Sequence, residues 1–119
     1  MAKILIADDA AFIRSTLQDA LSQNGFREIL TAENGSKALE QYEKERPDLV
    51  LLDIMMPEMD GLEVLKKIRA KDPDTRVVIL SDMGHQAMGI EASASGATDV
   101  ILKPLTSDRL LAAVRKALG

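Results

Sequence analysis

The fold of this chain is decided by one central stretch, which reads Leu49-Val50-Leu51-Leu52-Asp53-Ile54-Met55-Met56-Pro57-Glu58-Met59-Asp60-Gly61. Its first four residues are apolar without polar alternation, a pattern typical of a strand buried on both faces of a parallel sheet. Asp53 follows at the carboxyl end of that strand, the end at which open α/β sheets bind ligands. A single aspartate here is more often a helix cap after a core strand, so the other strand ends decide its role.

The composition describes one ordinary globular domain. The 119 residues are 46% hydrophobic and 29% charged, which suits a single domain spanning 1–119. No apolar run approaches the roughly 20 residues of a membrane span, and the first strand begins too early for a signal peptide. Cysteine is absent, which excludes thiolate metal sites and is compatible with the cytoplasm. The net charge of −4 and the few aromatic residues argue against a nucleic-acid partner.

Four further apolar segments predict strands, at Lys3–Ala7, Glu28–Ala32, 76–80 and 100–102. Glu28–Ala32 is the most polar of them, which favours an edge position in the sheet. Between the strands lie segments with helical spacing of apolar residues. Because each connection is long enough for a helix, the strands should be parallel and the helices should cover both faces. The sequence therefore predicts an α/β, doubly wound, five-stranded sheet in three layers.

Caps and breakers mark the predicted helices. The first helix ends at Asn24-Gly25, the second begins at Asn34-Gly35, and Asp60 is the predicted N-cap of the third, with Glu63 as its capping-box partner. Five apolar residues at helical spacing predict the inner face of the first helix, namely Phe12, Ile13, Leu17, Ala20 and Leu21.

The helix after the fourth strand is predicted to be weak. Its helix propensity is lowered by four residues, Gly84, Gly89, Ser93 and Ser95. Its thin apolar face is predicted to consist of Ala87, Ile90 and Ala94.

The strand ends carry complementary polar chemistry, supplied by Asp8, Asp9, Asp53, Ser81 and Lys103. Since all carboxyl ends of a parallel sheet lie along one rim, these side chains should converge. Clustered carboxylates repel one another unless a cation is present. Oxygen ligands without histidine or cysteine suit Mg²⁺, and a lysine with a hydroxyl suits phosphoryl transfer to an aspartate.

Each of these residues also has a purely structural interpretation. Asp8 or Asp9 can cap the first helix, Ser81 can cap the fourth, and Lys103 can be a solvated strand end. Four strand ends with complementary chemistry are an improbable accident, which favours the functional interpretation.

These residues resemble those of one family, the receiver domains of two-component response regulators. The resemblance covers essentially the whole chain and rests on shared motifs in family order, namely Asp8-Asp9, Asp53 with 56–61, Ser81, Gly96-Ala97 and Lys103-Pro104. It implies the strand order 2-1-3-4-5 of a flavodoxin-like three-layer sandwich. The segments 10–14 and 83–88 are most similar to stand-alone chemotaxis-type response regulators.

The resemblance also implies a role for each matching residue. Asp53 is the expected phosphoacceptor, and Mg²⁺ is expected on Asp9, Asp53 and the backbone carbonyl of Met55, with Asp8 acting through water. Ser81 is expected to hydrogen-bond the phosphoryl group and Lys103 to pair with it. The Lys103-Pro104 bond is expected to be cis.

Three positions depart from the family pattern. Asp82 stands where the family usually has alanine, Val100 occupies the position of the switch aromatic, and Leu105 replaces a common phenylalanine. The first two departures bear on phosphoryl acceptance and on switching.

The leading hypothesis is therefore a cytoplasmic, monomeric phosphoacceptor of a two-component chemotaxis pathway, and not an enzyme. Its expected partners are a histidine kinase and a downstream protein such as a flagellar motor switch protein, with no nucleic acid, membrane or fused output domain. The alternative is a pseudo-receiver or engineered receiver that binds proteins without efficient phosphorylation. A phosphatase is disfavoured because Met55 stands where such enzymes need a second carboxylate. His85 is interpreted as a solvated histidine rather than a metal ligand.

Overall fold

The computed structural model describes residues 2–119 and contains one parallel sheet of five strands. In chain order these are β1 (Lys3–Ala7), β2 (Glu28–Ala32), β3 (Leu49–Asp53), β4 (Arg76–Ser81) and β5 (Asp99–Leu102). Their order across the sheet is β2-β1-β3-β4-β5, as the resemblance implied. The polar strand β2 lies at one edge, as predicted, whereas β3 is central and buried along its whole length.

Five helices connect or follow the strands. They are α1 (Ala11–Gln23), α2 (Gly35–Glu45), α3 (Gly61–Lys71), α4 (Gln86–Ala94) and α5 (Ser107–Leu118), with a single 3-10 turn, Met83–His85, before α4. The apolar core forms two clusters, one on each face of the sheet. Helices α1 and α5 cover one face, and α2, α3 and α4 cover the other. The doubly wound, three-layer prediction is confirmed.

The predicted helix starts are confirmed at two of the caps. The Asn34 side chain accepts a hydrogen bond from the Lys37 backbone N–H, and Asp60 accepts one from Glu63. Each bond satisfies a backbone donor that a helix leaves without an internal partner. Helices α1 and α4 have no such side-chain cap.

The pairing of residues between neighbouring strands shows how far each strand end reaches outward at the rim. Ala7 is level with Leu52, so that Asp8 and Asp53 follow at the same height. Asp53 is level with Leu80, and Ser81 is level with Leu102. The next residues, Asp82 and Lys103, therefore lie about two residues further out than Asp53.

The structure corrects the predicted inner face of α1 at Phe12. This side chain is 79% exposed, whereas Leu17 and Leu21 are buried. At 3.6 residues per turn, position 12 lies about a third of a turn away from the centre of the stripe formed by the other apolar positions. Phe12 is apolar, but it belongs to the surface.

The predicted inner face of α4 was wrong by about half a turn. The predicted residues Ala87, Ile90 and Ala94 are exposed, Ile90 to 73%, and the buried residues are Gly89 and Ala92. Small residues on the buried side allow the helix backbone to approach the sheet closely. Gly84, assigned to this helix from the sequence, lies in the preceding 3-10 turn.

Candidate functional site

Asp53 lies at the centre of the carboxyl rim of the sheet. The strand β3 ends at this residue, whose flanking strands and helices leave it only 7% exposed. Its Oδ1 accepts a hydrogen bond of 3.5 Å from the Met55 backbone N–H, the outer limit for such a bond. Within residues 2–119, the Met55 carbonyl oxygen accepts no hydrogen bond.

Asp8 and Asp9 bring two further carboxylates to Asp53. Oxygens of the three side chains lie within 4.8 Å of one another. Asp8 is buried, and its Oδ1 accepts a hydrogen bond of 2.9 Å from the Ala10 backbone N–H, whereas Asp9 is exposed. Arg14 donates to the Asp8 backbone carbonyl at 2.7 Å, which ties α1 to the end of β1.

Lys103 joins this acidic cluster from the end of β5. Its Nζ lies 3.1 Å from Asp8 Oδ2 and 3.2 Å from Asp53 Oδ1. The Lys103 backbone N–H donates to the Ser81 carbonyl at 2.6 Å, and the bond to Pro104 is cis, as expected. One lysine thus bridges two carboxylates contributed by different strands.

The electrostatics of the site follow from burial and from this arrangement of charges. Burial raises the pKa of Asp53 from 3.8 to about 6, the negative charge of Asp8 adds to the increase, and Lys103 opposes it. Burial alone lowers the pKa of Lys103, but the carboxylates of Asp53 and Asp8 raise it overall. Lys103 therefore remains positively charged, and its single charge cannot neutralise both of the carboxylates that it contacts.

Ser81 lies at the end of β4, and its hydroxyl is close to the backbone of its own loop. The side chain is buried, and Oγ lies within hydrogen-bonding distance of two loop carbonyls, those of Asp82 at 3.3 Å and His85 at 3.4 Å. Ser81 also lines a cleft of about 400 Å³ between α4 and β5, together with Gly89 and Val100. In this conformation the hydroxyl links β4 to the loop before α4.

Asp82 caps the 3-10 turn that precedes α4. Its Oδ1 accepts a hydrogen bond of 3.1 Å from the Gly84 backbone N–H and pairs with His85 Nδ1. The hydrogen bond from His85 is the main cause that lowers the pKa of Asp82. The side chain remains 52% exposed. His85 contacts a carboxylate at the surface, and the acidic cluster contains no histidine.

Sequence reasoning missed a large apolar cavity next to the cluster. It has a volume of about 630 Å³ and lies between α1 and the loops after β4 and β5, where it is lined by Phe12, Ile13, Met83, Lys103 and Pro104, among others. The signal available in the sequence was Phe12, an apolar residue outside the buried stripe of α1, because this side chain supplies one wall of the cavity.

Comparison with known families identifies this arrangement. Residues 4–115 match the model of the response regulator receiver domain. The chain belongs to the response regulator receiver domain family. It is 49% identical to chemotaxis protein CheY of Bacillus subtilis over 117 residues, which cover 98% of both chains. It is 47% identical to chemotaxis protein CheY of Listeria monocytogenes, again over 98% of each chain.

A solved structure confirms the receiver fold. The receiver domain protein from Clostridium thermocellum superposes with a TM-score of 0.94 at 31% identity, covering 99% of this chain and 94% of that one. Within residues 2–119 of this receiver domain, no helix combines the length and apolar character that crossing a membrane requires.

The receiver domain brings together four of the predicted site residues. Asp8, Asp9, Asp53 and Lys103 form one connected cluster. Ser81 and Asp82 lie at the neighbouring strand end, with side chains that bond to their own loop. Val100 lies in the cleft on the α4 side. The functional roles assigned to these residues remain predictions.

Proposed function

We propose that this receiver domain is the phosphoacceptor of a two-component chemotaxis pathway, with Asp53 as the residue that is phosphorylated. The observation that carries the proposal is the position of Asp53, which is buried at the rim with Lys103 Nζ 3.2 Å from its Oδ1. A buried carboxylate held between a lysine and further carboxylates has no evident structural purpose. It does suit a reaction in which negative charge is delivered to this point.

The acidic cluster fits a divalent cation. It offers carboxylate oxygens from Asp8, Asp9 and Asp53, and hard oxygen ligands suit Mg²⁺. We propose that Asp9, Asp53 and Met55 hold the ion directly and that Asp8 acts through water. A bound Mg²⁺ supplies positive charge that neutralises the phosphoryl oxygens.

The chain's own residues account for the remaining requirements of the reaction. An ionised Asp53 oxygen attacks phosphorus, the bond between phosphorus and the donor atom breaks, and its electron pair leaves with the donor. With a pKa of about 6, Asp53 is mostly ionised at pH 7. Lys103 is close enough to turn from Asp53 toward the transferred group and neutralise one of its oxygens. Ser81 reaches the same group after rotating away from the His85 carbonyl.

The proposed partners follow from the resemblance to two-component response regulators. A histidine kinase donates the phosphoryl group, and a downstream protein such as a flagellar motor switch protein binds the phosphorylated form. We propose that the domain works as a cytoplasmic monomer and that its only reactions are its own phosphorylation and dephosphorylation. The chemotaxis assignment rests on the two CheY proteins, each aligned over nearly its full length.

A receiver blocked by Asp82, the alternative raised from the sequence, receives less support. The Asp82 carboxylate bonds to Gly84 and His85, and both contacts hold it in its own loop. Neither of these hydrogen bonds involves Asp53 or Lys103.

Small-molecule phosphorylation tests the proposal directly. Incubation with phosphoramidate and Mg²⁺ should add one phosphoryl group, detected as a mass increase of the intact protein. Asp53→Asn should abolish the increase, and chelation of Mg²⁺ should suppress it. The matched control is Asp74→Asn, which removes an exposed carboxylate beyond the opposite ends of the strands and should label like the wild type. Labelling that persists in Asp53→Asn would overturn the assignment of the phosphoacceptor.

A further inference from the structure

We infer that Asp82 makes this receiver domain selective among phosphodonors, favouring those that leave through a protonated nitrogen over those that leave as a carboxylate. The inference rests on the proposed function, because it concerns the donor that phosphorylates Asp53. It is carried by the position of Asp82 along the rim and by the open cavity that Asp82 and Lys103 both line.

Asp82 lies further out along the rim than the attacking residue. Asp53 is level with Leu80, so Asp82 follows two residues beyond that height, or about 6–7 Å at the usual strand rise. In an in-line transfer the leaving group lies on the side of phosphorus opposite the attacking oxygen. Since a donor approaches from the open ends of the strands, its leaving group lies at the level of Asp82.

Two charged residues line the open space at this part of the rim. The 630 Å³ cavity is lined by Lys103, which contacts Asp53, and by Asp82, with apolar walls from Phe12, Met83 and Pro104. Lys103 attracts the phosphoryl group. In the inferred reaction Asp82 lies beside the rest of the donor, and few other polar groups line this space to offset its charge.

The Asp82 carboxylate keeps its charge and one available oxygen. Both of its hydrogen bonds go to Oδ1, and within residues 2–119 Oδ2 accepts none. Its hydrogen bond from His85 favours the ionised form, since it lowers the pKa of Asp82. An anionic group with a free acceptor therefore stands beside the leaving group.

The two classes of donor differ in the charge of that leaving group. When phosphoramidate reacts, Asp53 Oδ bonds to phosphorus and the P–N bond breaks. The electron pair of that bond goes to the nitrogen, which is already protonated as –NH₃⁺, so neutral ammonia leaves. When acetyl phosphate reacts, the P–O bond breaks and the electron pair leaves on the carboxylate of acetate. Asp82 attracts the protonated nitrogen and repels the developing carboxylate.

The test is the ratio of the two phosphorylation rates, phosphoramidate over acetyl phosphate, measured by intact mass at saturating Mg²⁺. Asp82→Asn removes the charge but preserves an oxygen that can cap the turn. It should lower the ratio by about tenfold. This is the size of effect expected from one charge several ångströms away when the effective dielectric constant lies between that of a protein surface and that of water. Asp82→Glu restores the charge and should keep most of the wild-type ratio.

The control variant is Asp74→Asn, which makes the same change in net charge at the far end of the domain and should leave the ratio unchanged. If both donors still label Asp82→Asn and its ratio stays within about twofold of the wild-type ratio, the inference is overturned but the proposed function is not. A ratio lowered equally by Asp82→Glu also overturns it, because charge is then not the cause. Failure of both donors to label the wild-type protein overturns the proposed function itself.

Discussion

Gly89 lies so close to Val100 that a methyl group added to Gly89 would come 3.3 Å from Val100 Cγ1. This contact joins the buried face of α4 to β5. It explains why α4 turns its small residues inward and leaves Ile90 in solvent. A larger residue at position 89 forces Val100 to move, and the same methyl group would lie 3.7 Å from Ser81 Oγ.

We expect Gly89→Ala to stabilise the domain more in a Val100→Ala background than in the wild type. Alanine gains about 1 kcal/mol of helix propensity over glycine, but the contact with Val100 offsets that gain. The coupling between the two changes should exceed about 0.5 kcal/mol in urea unfolding, as for residues in direct contact. Ser22→Ala, on an exposed position of α1, is the control and should combine additively with Val100→Ala. Additivity at Gly89 would show that Val100 does not restrict this position.

Asp53→Asn should stabilise the metal-free domain at pH 7.5. The folded pKa of Asp53 is raised from 3.8 to about 6, so protonation favours the folded state. This contribution is fully present below about pH 4 and is lost as the pH rises through about 6. At about 1.4 kcal/mol per pKa unit, the full shift corresponds to about 3 kcal/mol of free energy of unfolding.

Urea unfolding in the presence of a chelator measures this difference at two pH values. The advantage of Asp53→Asn over the wild type should be large at pH 7.5 and should shrink toward pH 4.5. Asp74→Asn serves as the control for loss of one negative charge. An equal difference at both pH values would mean that Asp53 does not titrate in this range.

Mg²⁺ should bind weakly, and the affinity should depend on Asp9. Dispersed oxygen ligands that leave room for several waters do not form a tight cage. Asp9→Ala should abolish measurable binding, whereas Asp108→Ala, which removes a carboxylate on α5, should not change it. Binding by the wild type should also weaken below about pH 6, where Asp53 takes up a proton. Unchanged affinity in Asp9→Ala would exclude this residue from the metal site.

Helix α4 should be the helix that opens most readily. It has nine residues, no side-chain cap, and an inner face built on Gly89 and Ala92, which bury little apolar area. Hydrogen exchange at Gly89–Ala94 should be faster than in α1, whose buried side chains Leu17 and Leu21 resist local opening.

Comparison of the free and phosphorylated forms then tests a role for α4 in signalling. If phosphorylation draws Ser81 away from the His85 carbonyl, exchange in α4 should change between the two states. Fast but identical exchange in both states would place the switch elsewhere. Exchange as slow as that of α1 would contradict the prediction that this helix is weak.

The sequence by itself determined the sheet and the residues at its rim. Strands buried on both faces read as apolar runs, and parallel pairing places all of their carboxyl ends on one side. Asp8, Asp9, Asp53, Ser81 and Lys103 could therefore be assigned to one edge from the order of the elements alone. The caps Asn34 and Asp60 were predictable for a similar reason, because a capping bond involves only residues close in sequence.

Only the tertiary structure decided which way the less constrained elements face. The α4 sequence has too little amphipathic character to orient the helix, so the close approach of Gly89 to Val100 selects its buried side. Phe12 is apolar in a helix whose core stripe is already complete, and its exposure creates one wall of the cavity. The directions of Ser81 and Asp82 depend on loop carbonyls and amides that the fold brings near them, and no local pattern in the sequence encodes such contacts.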